Sequence, residues 1–151
     1  MIKPAAHSKK TEQPYVGYID LVQGILRGRT RFWALICVNE VNPNQCSIEI
    51  LGNNAPESVV TAVKILTSRP NAPQILVVDS TEQWHTYLTC SAQLVRRIVM
   101  RSASLQSPLM RHILKRVWHA YTKSVLDSQT ITTLRELQKA TDRWTGALCA
   151  I

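Results

Sequence analysis

Two aspartates stand where a carboxylate could do chemistry. Asp20 lies inside an aromatic and β-branched stretch, residues 15–22 (YVGYIDLV), that reads as a strand. A charge inside a strand is costly unless it has a task or a partner. Asp79 closes a second apolar run, residues 74–78 (QILVV). α/β sheets place their ligands at this rim, the carboxyl ends of the strands. If the two strands are neighbours, the two carboxylates meet and repel, and a divalent cation is the usual relief. Mg2+ or Mn2+ held by Asp20 and Asp79 could activate water and stabilise an in-line phosphoryl transition state. The same residues also admit a structural reading. Asp20 would then pair with an arginine and Asp79 would cap the next helix.

Composition narrows the choice of chemistry. The 151 residues hold ten Asp and Glu against eighteen Lys and Arg, a formal net charge of +8. Acid-based chemistry therefore draws on few candidates, and a polyanionic partner is favoured. The basic residues are clustered. Arg27, Arg29 and Arg31 sit in a glycine-containing turn, Arg96, Arg97 and Arg101 follow one helical pattern, and Arg111, Lys115 and Arg116 lie on the next. Arg111 and Lys115 are one helical turn apart and share a face. Guanidinium and ammonium groups in such runs suit phosphate contacts, which makes these residues the expected DNA-binding set; the competing reading is a solvated helix face.

Other classes are disfavoured. No run approaches the roughly 18 apolar residues of a membrane-spanning helix, and residues 1–14 (MIKPAAHSKKTEQP) lack a signal-peptide core. An intracellular protein without a membrane partner is expected. Cys37, Cys46, Cys90 and Cys149 form no C-x-x-C pair, so free thiols are expected rather than zinc ligands or disulfides. Cys37, within an apolar run, is expected in the core. Ser80 lacks the flanking glycines of a nucleophile elbow. His112 and His119 share a helix face but have no ligand spacing. The four tryptophans fall in apolar patterns and are expected in core or interface.

The elements that must position the aspartates follow from period and punctuation. Residues 1–13 read as a flexible N-terminal arm, and 14–151 as a single domain. Strands are expected over 15–22, 32–40 and 46–51, forming an antiparallel meander, with Asn42, Pro43 and Asn44 marking a turn. A helix capped by Asn54 follows, with Val59, Val63 and Leu66 on one face and Pro70 and Pro73 after it. The strand before Asp79 returns to the sheet, and helices are expected over 84–100, 108–125 and 132–148. This order implies an α/β fold, a mixed sheet with three antiparallel strands and then parallel additions, flanked by helices.

On these residues the chain resembles the catalytic core of retroviral-type integrases and related transposases. That core opens with an aromatic strand carrying its first aspartate, as in Tyr18-Ile19-Asp20-Leu21. It has a later strand ending in Asp-Asn-Gly-x-x-Phe, matched here by Asp79-Ser80-Thr81-Glu82-Gln83-Trp84 without the Asn and Gly. Its Gln-Ser/Gly loop and basic helix are matched by Gln106-Ser107-Pro108 and the residues from Met110 to Arg116. The resemblance implies an RNase H-like fold with a five-stranded-type mixed sheet, DNA as partner, Mg2+ or Mn2+ if the domain is active and otherwise no cofactor, and a homodimer or higher assembly, with Trp118 and Tyr121 as possible anchors. Cores of this family commonly continue past the segment around Trp144–Ile151, so an excised core of a longer protein is expected.

One departure bears on activity. The family's third acid falls on Met110, and a thioether is a poor ligand for magnesium. No acid occurs from Arg96 to Leu126; the fuller family spacing would fall on Lys115. Asp142 and Glu82 are the substitutes on hand. The expectation is an integrase- or transposase-core-like domain that binds DNA but is impaired in strand transfer. Two alternatives stay open: an active metal-dependent DNA-cleaving or joining enzyme using Asp20, Asp79 and a substitute acid, and a non-catalytic assembly module.

Overall fold

The computed structural model describes residues 16–27, 29–70, 72–79, 81–90, 98–101, 108–127 and 130–150; for 79, 98–101 and 108–110 it gives the backbone course. The N-terminal arm, Arg96, Arg97 and the Gln106-Ser107 loop lie outside the described residues.

Five strands form one sheet in the order β3-β2-β1-β4-β5. These are β1 (Val16–Leu26), β2 (Thr30–Asn39), β3 (Cys46–Leu51), β4 (Ile75–Asp79) and β5 (Ile98–Arg101). β1, β2 and β3 are antiparallel neighbours, and β4 and β5 add in parallel. The helices are α1 (Pro56–Ser68), α2 (Glu82–Thr89), α3 (Pro108–Tyr121) and α4 (Leu134–Cys149), with a π turn over Thr122–Leu126 after α3.

β2 explains why the sheet is covered on both sides. Its apolar run has no polar alternation, and both sets of its side chains are buried. Ala34, Ile36 and Val38 pack with Leu114, Tyr121 and Leu137 of α3 and α4. Leu35 and Cys37 pack on the other face with Val59, Val63 and Leu66 of α1 and with Trp84 of α2. A strand buried on both faces needs such continuous hydrophobicity. β1 and β2 form a long hairpin from Gly17↔Asn39 to Leu26↔Thr30. At Gly24 the ring of its partner Phe32 lies so close that an added Cβ would meet it at 2.5 Å, so only glycine fits.

Three sequence expectations need correction. Residues 84–100 do not form one helix: α2 ends at Thr89, and Ile98–Arg101 is a parallel edge strand. A short apolar run with β-branched residues reads alike for helix and buried strand, and here the open edge of β4 decides it. Asn54 is not the cap of α1. Ala55 is the N-cap, with extended backbone and no side-chain cap bond. Proline at the first helical position forces the preceding residue out of helical geometry, so the helix starts at Pro56. Tyr121 is fully buried and shares a 2.7 Å hydrogen bond with Thr141, so it anchors α3 to α4 and not one subunit to another.

α4 starts on Thr133, whose hydroxyl accepts from the Glu136 amide at 3.1 Å. The Glu136 carboxylate in turn accepts from the Thr132 and Thr133 hydroxyls. These bonds hold the Glu136 carboxyl below its ordinary range. α4 then lies along β3. Gln138 accepts from the Ile50 amide at 2.7 Å and donates to the Ile48 carbonyl at 3.0 Å.

Candidate functional site

The site is built where β4 stops and β1 continues. Val16, Gly17 and Tyr18 pair with Ile75, Leu76 and Val77. Carried on by two residues, the same register sets Asp79 level with Asp20. Neighbouring strands lie about 4.8 Å apart, so the sheet brings the backbone of the two aspartates together at the end of β4.

Strand alternation puts Asp20 on the α3 side of the sheet, in line with Tyr18 and Val22. Its neighbours in that row are buried or half-buried, whereas Asp20 is exposed. One carboxylate oxygen accepts from the amide of Leu21 at 2.9 Å. Beyond it a cavity of about 710 Å³ opens between β1 and α3. Arg111, Lys115 and His119 line its α3 wall, at successive i, i+4 spacings on one helix face. Val22, Leu114 and Trp118 supply an apolar floor, and Ile19, whose side chain packs on the opposite face of the sheet, borders it. Trp118 is held by ring contacts with Phe32 at 6.4 Å and Tyr121 at 5.3 Å. Thr122 completes the wall at the start of the π turn, its hydroxyl donating to the Trp118 carbonyl at 2.9 Å.

The other flank of α3 faces a second cavity of about 840 Å³. The turn of Asn42, Pro43 and Asn44 forms one side, His112 and Arg116 the helix side, and Trp144 of α4 the third. Lys115 and His119 line both cavities. α3 is therefore a ridge between two grooves. Arg111, His112, Lys115, Arg116 and His119 are all exposed along it.

The remaining expected residues are dispersed. Arg27, Arg29 and Arg31 are exposed at the tip of the β1–β2 hairpin. Seven residues of strand separate Arg27 from Asp20, roughly 23 Å at strand rise. Arg27 and Arg29 line a separate cavity of about 430 Å³ with Thr30 and Thr132. Arg27 holds a left-handed backbone (φ 54°), uncommon for a residue other than glycine. Met110 falls in the first turn of α3, one residue before Arg111. Asp142 lies far from Asp20, on the β3 side of the sheet. It accepts from Gln138 at 2.9 Å and stands 4.0 Å from Arg69, which is paired with Glu49. Glu82 is an exposed first-turn residue of α2.

Among the described residues no three His, Cys, Asp or Glu side chains gather. Among those residues the cavity that Asp20 lines also carries an arginine and a lysine. Sequence reasoning missed His119, Trp118 and Thr122 as cavity residues. The signal was the i, i+4, i+8 spacing of residues 111, 115 and 119, followed only through its first step.

Solved structures share this fold. The HTLV-2 integrase catalytic core domain in complex with magnesium matches in its dimeric form with a TM-score of 0.59 and 11% identity, over 85% of this chain and 83% of that chain. Its trimeric form matches with a TM-score of 0.51 and 11% identity, over 87% and 82%. The catalytic core domain of BIV integrase matches with a TM-score of 0.58 and 13% identity, over 89% and 83%. The chain thus has the RNase H-like fold of retroviral integrase catalytic cores. No protein-family model and no curated protein matches it. Among the described residues no helix is long and apolar enough to cross a membrane.

Proposed function

We propose that this chain is a DNA-binding domain of the integrase-core fold that has lost strand transfer. The carrying observation is α3, whose exposed ridge presents five basic or histidine side chains, of which Arg111, Lys115 and His119 line the cavity with Asp20. Such a ridge neutralises backbone phosphates without reading sequence. The hairpin arginines 27, 29 and 31 supply a second, separate set of phosphate contacts. The HTLV-2 core holds magnesium in the structures similar to this one. Here Met110 takes the place of the third acid, and Arg111 and Lys115 stand across the cavity from Asp20. The HTLV-2 core also forms dimers and trimers, which supports self-assembly of this chain.

Fluorescence anisotropy with a labelled DNA duplex tests the reading. Affinity is expected to fall as salt rises, with a log–log slope of about −0.9 for each phosphate neutralised, and to persist in EDTA without added magnesium. A duplex that fails to bind at low salt overturns it. The register that sets Asp79 level with Asp20 favours one other reading, a metal-dependent DNA-cleaving or joining enzyme using Asp20, Asp79 and a substitute acid. Cleavage in manganese that disappears with Asp20→Asn would establish that enzyme and displace the first reading.

A further inference from the structure

We infer that the groove between α3, α4 and the β2–β3 turn docks an acidic amphipathic helix of another protein. The inference goes beyond the DNA reading and does not depend on it. The groove has an apolar floor inside a charged rim, the anatomy of a protein-recognition site. Ile113, Val117 and Ala120 follow one another at i, i+4 and i+7 along α3, and Trp144 and Leu148 answer them at i and i+4 on α4. Ile113, Val117, Trp144 and Leu148 pack against the core yet stay half-buried, and Ala120 is exposed. The α3 strip alone runs about 10 Å along the helix axis, some two turns. His112, Lys115, Arg116 and His119 stand exposed along its rim, and among the described residues no carboxylate lines the groove. The turn is a fixed third wall. The Asn39 side-chain oxygen accepts from the Val41 and Asn42 amides at 2.7 and 3.1 Å, and the Gln45 amide donates to the Asn42 carbonyl at 2.9 Å. A wall set in advance lowers the ordering cost of binding. Val41, beside that wall, is 88% exposed and adds apolar surface at the turn.

Floor and rim together select the occupant. An amphipathic helix lays its apolar stripe into such a groove, with anchors at i, i+3 or i+4, and i+7. Acidic residues on its flank then meet Lys115 and Arg116, a complementarity that sets orientation and speeds encounter. A polynucleotide has the right sign but would leave the aliphatic floor of Ile113, Val117 and Leu148 uncovered. The chain's own residues 1–15 join β1 at Val16, whose carbonyl accepts from the Glu40 amide close to this turn. They carry Lys3, Lys9 and Lys10 against Glu12, the wrong sign for this rim. A second copy has no suitable helix among the described residues. α1 balances Glu57 with Lys64, and α2 is short and carries Glu82. α3 has no acid, and α4 sets Glu136 and Asp142 against Arg135, Lys139 and Arg143. The acidic helix must therefore come from a different protein.

The probe is a synthetic helical peptide of about 14 residues, roughly four turns, with leucines along one face and glutamates on its flanks. A scrambled peptide of the same composition, and one with lysine at every glutamate, serve as controls. Indole N–H spectra of the 15N-labelled full chain follow each titration. The striped acidic peptide is expected to shift the Trp144 indole and to leave the Trp84 indole, on the other face of the sheet, in place. It should bind about tenfold more tightly than the scrambled peptide. Arg116→Glu should weaken it about tenfold by setting like charges together, and Ala120→Gln about fivefold by placing a polar side chain over the floor. Both are exposed helix positions, and an unmoved Trp84 signal reports the intact fold. A Trp144 indole that does not respond, or a scrambled or lysine peptide that binds as tightly, overturns the inference. So does duplex DNA that shifts the Trp144 indole more than the peptide does, which gives the groove to nucleic acid. Contacts from residues 1–15 to that indole in the free chain, or a shift that follows chain concentration alone, would give it to the arm or to a second copy and overturn the inference equally. Loss of the DNA reading, by a duplex that fails to bind, leaves every one of these peptide outcomes unchanged.

Discussion

The β3 edge of the sheet and its central strand β1 use charge in different ways. At β3, charge is consumed within the fold. Glu49 is buried and paired with Arg69, and Asp142 is within reach of that arginine and bonded to Gln138. At β1, the α3 ridge carries Arg111, Lys115 and Arg116 along one exposed helix, and Asp20 lines the adjoining cavity. The fold therefore separates an internally paired cluster from an exposed basic helix face.

Reversing the charge of the ridge should produce the largest effect. Lys115→Glu combined with Arg116→Glu is expected to lower duplex affinity about a hundredfold and to flatten the salt slope by about two, measured by anisotropy, with little change in the melting temperature. Arg69→Leu should do the opposite. It leaves Glu49 buried without its cation and should cost about 2 kcal/mol in urea unfolding, a value between those of exposed and fully buried pairs, while DNA affinity is kept. If Arg69→Leu weakens DNA binding as much as the ridge reversal, the division between the two sides is wrong.

Alkaline conditions probe the core that both sides share. Burial pushes the Cys37 thiol up to about 12 and the Cys46 thiol up to about 11, from an ordinary 9.0. Burial likewise pushes the Tyr121 hydroxyl up to about 12, from an ordinary 10.0, against the lowering effect of its bond to Thr141. In each case the folded state keeps the proton that the unfolded chain releases. Stability should therefore hold below pH 9 and fall as the pH rises from 9 toward 12, which urea midpoints over that range would follow. The smallest effect is local. Thr133→Ala removes the N-cap of α4 and should cost about 1 kcal/mol, leaving the α3 ridge and DNA affinity as they are.

Much of this arrangement was legible in the sequence because the relevant signals are periodic. The continuous apolar run of β2 announces burial on both faces, and the alternation of β3 announces a strand with one face less covered. That β1 and β4, the strands carrying Asp20 and Asp79, are neighbours follows from the order of elements. Less legible was β5, since Ile98, Val99 and Met100 carry no period of their own and become a strand only because β4 offers an edge. The site was legible in part. Arg27, Arg29 and Arg31 match α3 in residue type, yet strand length sets Arg27 roughly 23 Å from Asp20, and composition carries no information about that distance. Trp118 reads as core from its pattern and is half-buried, with the remainder of the ring on the cavity.

The contact of Gln138 with β3 has a consequence for assembly. β3 ends the sheet on its side, and an open strand edge is a template on which another chain can add a strand. The side-chain amide of Gln138 occupies the Ile50 N–H and the Ile48 carbonyl, as the peptide group of an incoming strand would. One rung of the ladder is thus already taken, and α4 lies across the approach. Copies of this chain are not expected to join by extending their sheets at β3. Gln138→Leu would free that rung, and concentration-dependent aggregation of the variant, seen by light scattering, is its expected signature.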